Sequence, residues 1–433
     1  MKTPMIRTLT FLITVLSASA CIPILQSRYL TSEDIVVLPR EDNLRKVRRG
    51  RIDPCLQWES YVPDTSHMSH TPMRYLRVNV HWMNTPDTAY DLTGQRAVDF
   101  AKGLIRAANY DLAKNRQMWL PNGNSTPVVP TNYRYVLTPD PDIPGDEGIY
   151  FHFDPELTYY IHKGKNRNLY RREVFEKYGV QLDSVLNIFI MPHHPDSVAS
   201  PTYGAFGVGV ALGNAIKLAG IYHNAKDRDD YWNFRGGVNH ETGHILGLGH
   251  SWVTDGCDDT PVHSQECFSK GQGAKCDTMT SNNVMDYAAE QNSWSPCQVG
   301  KIQQRLAQEN SRGRNFLLPT WCELKDSLEV VIRDSVEWNG AHDLEGRLTI
   351  ASGGRLIIRC RVSIPPGGVI TVEPGGTLVL DGARLHNACG KEWEGIVVQK
   401  FGDEVGKVFY TDNPVVENAR NPLPPLGAQP ETP

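Results

Sequence analysis

This sequence lacks a surplus of positive charge. Its 44 Lys and Arg are set against 49 Asp and Glu, a formal net charge of −5, and no long Lys/Arg face interrupts the pattern. Binding to nucleic acid therefore has no electrostatic footprint. It also lacks an apolar run long enough to cross a bilayer. The best stretch, Leu9 to Leu16, is far short of the ~20 residues a spanning helix needs, which excludes a permanent transmembrane anchor. With those classes set aside, the hydrophobic fraction of 40% and charged fraction of 21% are those of an ordinary globular protein. The 433 residues exceed what one compact domain usually needs.

The N-terminus has the layout of an export signal. Lys2 and Arg7 precede the apolar stretch, and the small residues Ala18-Ser19-Ala20 stand before Cys21. Cleavage after Ala20 by an ordinary signal peptidase would release a soluble protein. Cleavage of the same bond by the lipoprotein pathway would leave Cys21 as a lipidated N-terminus. Leu16 to Cys21 resembles a bacterial lipobox, with Ala18 where Leu is preferred, and the expectation is a lipoprotein of an outer membrane or cell surface, with free secretion as the alternative. The nine cysteines agree, because lipidating Cys21 leaves an even eight for disulfides in an oxidising compartment.

Residues 21–61 show little periodicity and carry a basic knot, Arg45 to Arg51, so they read as a linker or as a pro-segment cut at the knot. From about residue 62 to 325 the order is strand, helix, strands, helix. Arg74 to Trp82 alternates like a strand, and Gly94 to Trp119 has helical spacing that ends near Pro121. Tyr133 to Leu137, Gly148 to Phe153 and Val185 to Met191 read as further strands, and Tyr203 to Leu218 as one or two sheet segments. Such an order is that of an α+β domain with a twisted mixed sheet. Residues 326–410 are a small all-β domain. Short β-prone runs separated by Gly353-Gly354, Pro365 to Gly368 and Pro374 to Gly376 recur at an offset of ~22 residues, a spacing expected of a β-solenoid and matched also by a small sandwich. Residues 411–433 are Pro-rich and polar, a composition expected to be disordered.

The chemistry lies in Asn233 to Leu246, read as a helix, and just beyond it. His240-Glu241-Thr242-Gly243-His244 and then Gly247 and His250 fit H-E-x-x-H-x-x-G-x-x-H at every fixed position. Four residues advance a helix by just over one turn, so His240 and His244 project from one face toward one Zn²⁺. Glu241 lies beside the first ligand and is placed to serve as general base. Gly247 allows a left-handed exit that brings His250 round as third ligand. Three imidazoles leave a coordination position free, the mark of a catalytic zinc site.

This signature resembles that of the metzincin metallopeptidases. The clan has a methionine turn below the metal, and Asn283-Val284-Met285-Asp286-Tyr287 fits it better than the flanks of Met279 do. The resemblance implies that Met285 packs under the histidines and that Tyr287 presents a phenol to the developing oxyanion. The order and spacing of His250-Ser251-Trp252, Cys257, Asp258 to Pro261, Cys267, Cys276, the turn and Cys297 resemble the pappalysin family over roughly residues 203–306. Family likeness implies Cys257–Cys276 and Cys267–Cys297 bridges, although four cysteines allow three pairings. It further implies a possible Ca²⁺ site at Asp255, Asp258, Asp259 and Thr260, where oxygen ligands suit a hard cation. Glu290 falls where an acid selects a basic residue after the scissile bond. Cys55 reads as a switch thiolate or, preferably, as the partner of Cys322, which leaves Cys360 for Cys389. His193-His194 read as loop residues. The implied function is an exported zinc metalloendopeptidase acting on protein or peptide. Its rivals are a non-catalytic surface protein, against which the intact Glu241 and Tyr287 argue, and a zinc hydrolase of another amide, against which the third histidine and the methionine turn argue.

Overall fold

In the computed structural model, the described residues are 24–38, 53–87, 91–161, 168–200, 208–222 and 230–422. The export signal, Cys21 and the basic knot lie outside them. Among the described residues no helix is long and apolar enough to cross a membrane.

Residue alternation builds the first sheet. Strand β3 (Arg74–Asn84) follows two short strands near the N-terminus, β1 (Gln26–Tyr29) and β2 (Ile35–Val37). Leu76, Val78, Val80 and Trp82 of β3 are fully buried toward helix α1 (Gly94–Ala113), whose Phe100, Leu104, Ala108 and Leu112 meet them at helical spacing. Strands β4 (Tyr133–Leu137) and β5 (Ile149–Phe153) lie along successive halves of one edge of β3. On the other edge come β6 (Leu186–Ile190), β8 (Ala215–Ala219) and β7 (Val208–Ala211) in that order. All are parallel except β7, which runs antiparallel to β8 at the sheet edge. Helices α2 (Arg235–Ile245) and α3 (Pro296–Ala307) contribute Val238, Ile245, Val299 and Ile302 to the same core. Helix α1 stops at Ala113, short of the expected Trp119. The reason is Asn115, whose amide donates to the Val129 and Trp294 carbonyls and accepts from the Trp294 N–H, drawing the chain out of the helix.

The C-terminal part is a stack of parallel coils. Its strands are β9 (Glu329–Ile332), β10 (Ser335–Trp338), β11 (His342–Asp343), β12 (Arg347–Ile350), β13 (Arg355–Ile358), β14 (Arg361–Ser363), β15 (Val369–Val372), β16 (Thr377–Asp381), β17 (Arg384–His386), β18 (Gly395–Phe401), β19 (Glu404–Val405), β20 (Lys407–Thr411) and β21 (Val415–Val416). They form three sheets in which each coil pairs in parallel with the next, Leu348 opposite Ile370 and Leu356 opposite Leu378. The offset of 22 is the repeat seen in the sequence, and parallel pairing decides for a solenoid over a sandwich of antiparallel hairpins. Inward residues Leu348, Ile350, Leu356, Ile358, Ile370, Val372, Leu378 and Leu380 are fully buried, one above another. Gly353 and Gly375 make the corners with φ of +79° and +81°, where a Cβ would be strained.

Two boundaries differ from expectation. Residues 26–29 and 35–37, expected within a linker or pro-segment, are strands of the solenoid: β1 pairs antiparallel with β18, and β2 parallel with β20. Likewise the solenoid continues past residue 410, where a disordered tail was expected. Val415 and Val416 pair with β17, and Ala419 bridges Trp393.

Disulfides sew the two parts together, in pairings other than those expected. Cys55 bonds Cys360 rather than Cys322, and Cys322 bonds Cys389, with Cα–Cα distances of 5.6 and 5.7 Å. Joining Cys55 to Cys322 would have closed the peptidase part on itself. Instead both of its ends lie against the solenoid. Between the disulfides is a buried ion cluster. The Asp343 carboxylate of β11 takes two hydrogen bonds from Arg314 (2.8 and 2.9 Å) and two from Arg361 (2.7 and 3.5 Å), with Arg74 of β3 at 3.4 Å. Arg74 and Arg361 also bind the Leu306 and Ala307 carbonyls that α3 leaves open at its C-terminus. Burial opposes ionisation of Asp343, but Arg361, Arg314 and Arg74 outweigh it and hold the carboxyl well below the usual carboxylate range. Its folded pKa lies below its unfolded value, so its contribution to stability is present above about pH 4 and is lost only as pH falls through the depressed pKa. Replacing Asp343 by Asn strands three buried guanidinium groups and is expected to cost about 3–5 kcal/mol. A denaturation midpoint at pH 7 within error of wild type would show the cluster to be energetically idle.

Candidate active site

Helix α2 carries His240, Glu241 and His244, and the chain leaves it through Gly247 at φ +95°, the left-handed turn expected there. His250 then returns to the helix. The Nε2 atoms of His240 and His250 each lie 3.2 Å from Nε2 of His244. In this arrangement the outer nitrogens are committed elsewhere. His240 Nδ1 donates to the Val284 carbonyl at 2.7 Å and His244 Nδ1 to the Leu248 carbonyl at 2.9 Å. Each of these rings therefore turns its Nε2 lone pair toward the common centre. Lone pairs that converge at 3.2 Å repel unless a cation lies among them, and ligands ~2.0–2.1 Å from a tetrahedral Zn²⁺ would stand about 3.3–3.4 Å apart. The cluster fits zinc. Burial pushes the His240 pKa down to about 4, which keeps the imidazole neutral as a ligand must be.

Two glycines fix the helix in place. A Cβ on Gly243 would lie 2.3 Å from Met285 Sδ, so the methionine is packed directly beneath the helix, fully buried. On the other side a Cβ on Gly209 of β7 would lie 2.5 Å from Glu241 Cγ and Oε1. The edge strand thus lies against the Glu241 side chain, which is 6% exposed. Burial raises its pKa to about 8, against a backbone hydrogen bond from Ala211. Tyr287 stands at the open side of the cluster, 53% exposed, its ring 4.8 Å from that of His250 and 5.9 Å from that of His240.

Three residues around this cluster were not singled out from the sequence. Gln291 Nε2 lies 3.2 Å from His240 Nδ1 and bonds the Asp286 carbonyl at 2.6 Å. Tyr160, buried, and Tyr170, exposed, lie within electrostatic reach of Tyr287, and Tyr160 also of Glu241. No spacing rule ties them to the motif, since Tyr160 and Tyr170 precede it by some seventy to eighty residues. His193 and His194 are loop residues beside β6, as expected, with His194 capping a short helix at Pro195–Val198. Glu290 is exposed, and Asn292 donates to it at 3.4 Å.

The loop after His250 departs from expectation in its disulfides. Its bridges are Cys257–Cys297 and Cys267–Cys276, with Cα–Cα distances of 5.7 and 4.9 Å. Cys276 starts a turn only nine residues from Cys267 and closes a local loop, while Cys257 reaches the start of α3. Of the residues expected to hold Ca²⁺, three are engaged in hydrogen bonds of the protein's own. Asp255 accepts from Thr260 Oγ1 and the Cys257 N–H at 2.9 Å, Asp259 accepts from the Cys297 N–H at 3.0 Å, and Asp258 is exposed. The carbonyls of Asp255 and Gly256, which a hard cation would want, take hydrogen bonds from Lys301 Nζ at 2.8 and 3.0 Å. An ammonium ion of the protein's own holds these two carbonyls, and a cation binding through them would have to displace it. With zinc saturating, calcium or a calcium-selective chelator is expected to leave Tm unchanged within about 1 °C, because a cation that does not bind the native state cannot stabilise it. A rise of several degrees with calcium would restore the metal site.

Residues 185–307 match the family model of the Peptidase_M43 family, described as pregnancy-associated plasma protein-A. No curated protein sequence matches the chain. Among solved structures, mature mirolysin of Tannerella forsythia in complex with a cleaved peptide is 19% identical, over 56% of this chain and 94% of that one, with a TM-score of 0.39. Mirolysin in complex with compound 9 is 18% identical, over 57% and 96%, with a TM-score of 0.40. The family match spans β6 through α3 and contains the three histidines, Glu241 and the methionine turn. That segment, somewhat over a quarter of the chain, is similar to the pappalysin-like metzincin metallopeptidases.

Proposed function

We propose that the protein is an exported zinc metalloendopeptidase with Glu241 as general base. The observation that carries this reading is the convergence of three imidazole nitrogens at 3.2 Å spacing beside a buried carboxylate. Zinc, when bound by His240, His244 and His250, supplies a Lewis acid that polarises a carbonyl and acidifies water. The remaining work falls to the chain. The outer face of β7, whose neighbour in the sheet is β8, offers backbone N–H and C=O groups on which an extended peptide pairs as an added strand. Glu241, resting on that strand at Gly209, takes the proton of the attacking water. It then passes the proton to the leaving amine. The Tyr287 phenol, exposed beside His250, donates to the oxygen on which negative charge develops.

The same reading includes a preference for Arg or Lys after the scissile bond, read by the exposed carboxylate of Glu290, and export as a lipoprotein through Cys21. Four disulfides support an oxidising compartment.

Hydrolysis of a mixed peptide library tests the whole. Wild type should cleave internal bonds and stop on treatment with a zinc chelator. Glu241→Gln should retain zinc and lose about 10²–10⁴-fold in kcat. Undiminished cleavage by Glu241→Gln would remove the base assignment, and a wild type that cleaves no peptide would remove the function. Among the cleaved sites Arg and Lys should be enriched after the bond, and Glu290→Gln should flatten that enrichment. A profile without basic preference in wild type discards the role of Glu290.

A further inference from the structure

His263 belongs to the loop between the third histidine and the methionine turn, and nothing in the motif accounts for it. Its side chain is 6% exposed. Nδ1 lies 3.1 Å from the Ser264 carbonyl, and Nε2 lies 2.7 Å from Oδ2 of Asp286, itself 4% exposed. Both ring nitrogens thus face acceptors. A neutral imidazole has one N–H and would turn a lone pair on either a carbonyl or a carboxylate, whereas an imidazolium ion presents an N–H to each. Among the described residues Nε2 and Oδ2 have no other partner, so the contact between them is a close charge pair rather than an aligned hydrogen bond.

Asp286 lies between Met285 and Tyr287. Its Oδ1 accepts the Tyr287 backbone N–H at 2.6 Å, while Oδ2 faces His263. The backbone N–H of His263 in turn bonds the Trp252 carbonyl at 3.4 Å. The Trp252 ring stacks on His250, with centroids 5.2 Å apart and planes 18° apart, and meets the Tyr287 ring at 5.7 Å. One imidazolium therefore ties together the loop that carries His250 and the turn that carries Tyr287. Without a partner on Oδ2, the buried Asp286 carboxylate would no longer be held in the rotamer that fixes the Tyr287 N–H.

We propose that His263 is a positioning residue, which acts through Asp286 to hold the Tyr287 phenol beside the histidine cluster. This rests on the reading of Tyr287 as the donor to the oxyanion, and the experiment separates the two. Kinetics on a fluorogenic peptide would be measured for the zinc-loaded wild type, His263→Ala, Tyr287→Phe and the double variant, with zinc content and Tm recorded for each. Displacing a reacting group by about 1 Å can cost up to 10²-fold, so His263→Ala should lower kcat by about ten-fold or more. KM and zinc content should stay near wild type, and His263→Gln, whose amide can still donate to Asp286, should recover most of the loss. In the Tyr287→Phe background His263→Ala should change kcat by less than about two-fold, because the group it positions is already gone. If Tyr287→Phe lowers kcat and His263→Ala lowers it by the same factor again, the proposal falls while the role of Tyr287 stands. Loss that appears as missing zinc or raised KM overturns it in the same way. If Tyr287→Phe alone leaves kcat unchanged, the reading of Tyr287 fails and takes the proposal with it. Should His263→Ala not fold, Asp286→Asn runs the same cycle.

Discussion

The contact between Gly243 and the Met285 sulfur holds the rest of the site in register. A side chain at residue 243 would occupy the space where the sulfur lies, so only glycine lets α2 settle onto the turn below it. That depth has chemical consequences one residue to either side of Met285. It brings the Val284 carbonyl within 2.7 Å of His240 Nδ1, which fixes the tautomer of the first histidine. It also sets the buried Asp286 carboxylate where it takes the Tyr287 backbone N–H. The opposite flank is treated the same way, with Gly209 giving Glu241 the room a Cβ would take. Close-packed interiors transmit small shifts rather than absorb them, so a helix gripped by two side-chain-free contacts can keep its ligands at a spacing suited to one small ion.

Much of this was legible in the sequence because it is local. His240, His244 and the turn at Gly247 are separated by fewer residues than two helical turns, and helical geometry alone carries them to one point. The strands of the first sheet were equally readable from alternation, and the solenoid from its repeat of 22. What escaped reading depends on contacts between residues far apart. Asn115 ends α1 early only because Trp294 is beside it. The disulfides were mispaired because spacing does not say which loop folds back on itself: Cys267 and Cys276 close a turn, and Cys257 is left to reach α3. Lys301 is an unremarkable helix residue until its ammonium is seen on the Asp255 and Gly256 carbonyls, a contact that no spacing in the Asp-rich loop announces.

The junction between the two parts joins a small apolar cluster of Tyr61, Ala307, Ala341 and Cys360 with a charged one. Three arginines share one aspartate in a buried position, an arrangement that contributes little net stability compared with a hydrophobic contact but tolerates few alternatives. Its geometry accounts for that choice. Arg74 begins β3, Arg314 follows α3 and Arg361 opens β14, and their spare N–H groups cap carbonyls at the end of α3 that would otherwise be buried unsatisfied. An apolar side chain could fill the volume but could not serve those carbonyls. The cluster therefore specifies how the solenoid docks, and the two disulfides on either side keep it docked.

The solenoid raises a constraint of its own. A stack of parallel coils ends in a row of unpaired backbone groups, which invites association with other chains unless something covers it. Here the cover comes from the other end of the sequence: β1 lies on β18 and β2 on β20, with Gln26 opposite Lys400 and Ile35 opposite Val408. Contacts of such sequence separation form late, because the loop entropy of bringing the ends together must be met before the pairing offsets it. A chain that emerges N-terminus first must keep residues 26–37 available until the last coil exists. That requirement explains why β1, Gln26-Ser27-Arg28-Tyr29, is short and largely polar, with every residue open to solvent. A stickier segment would find other partners first.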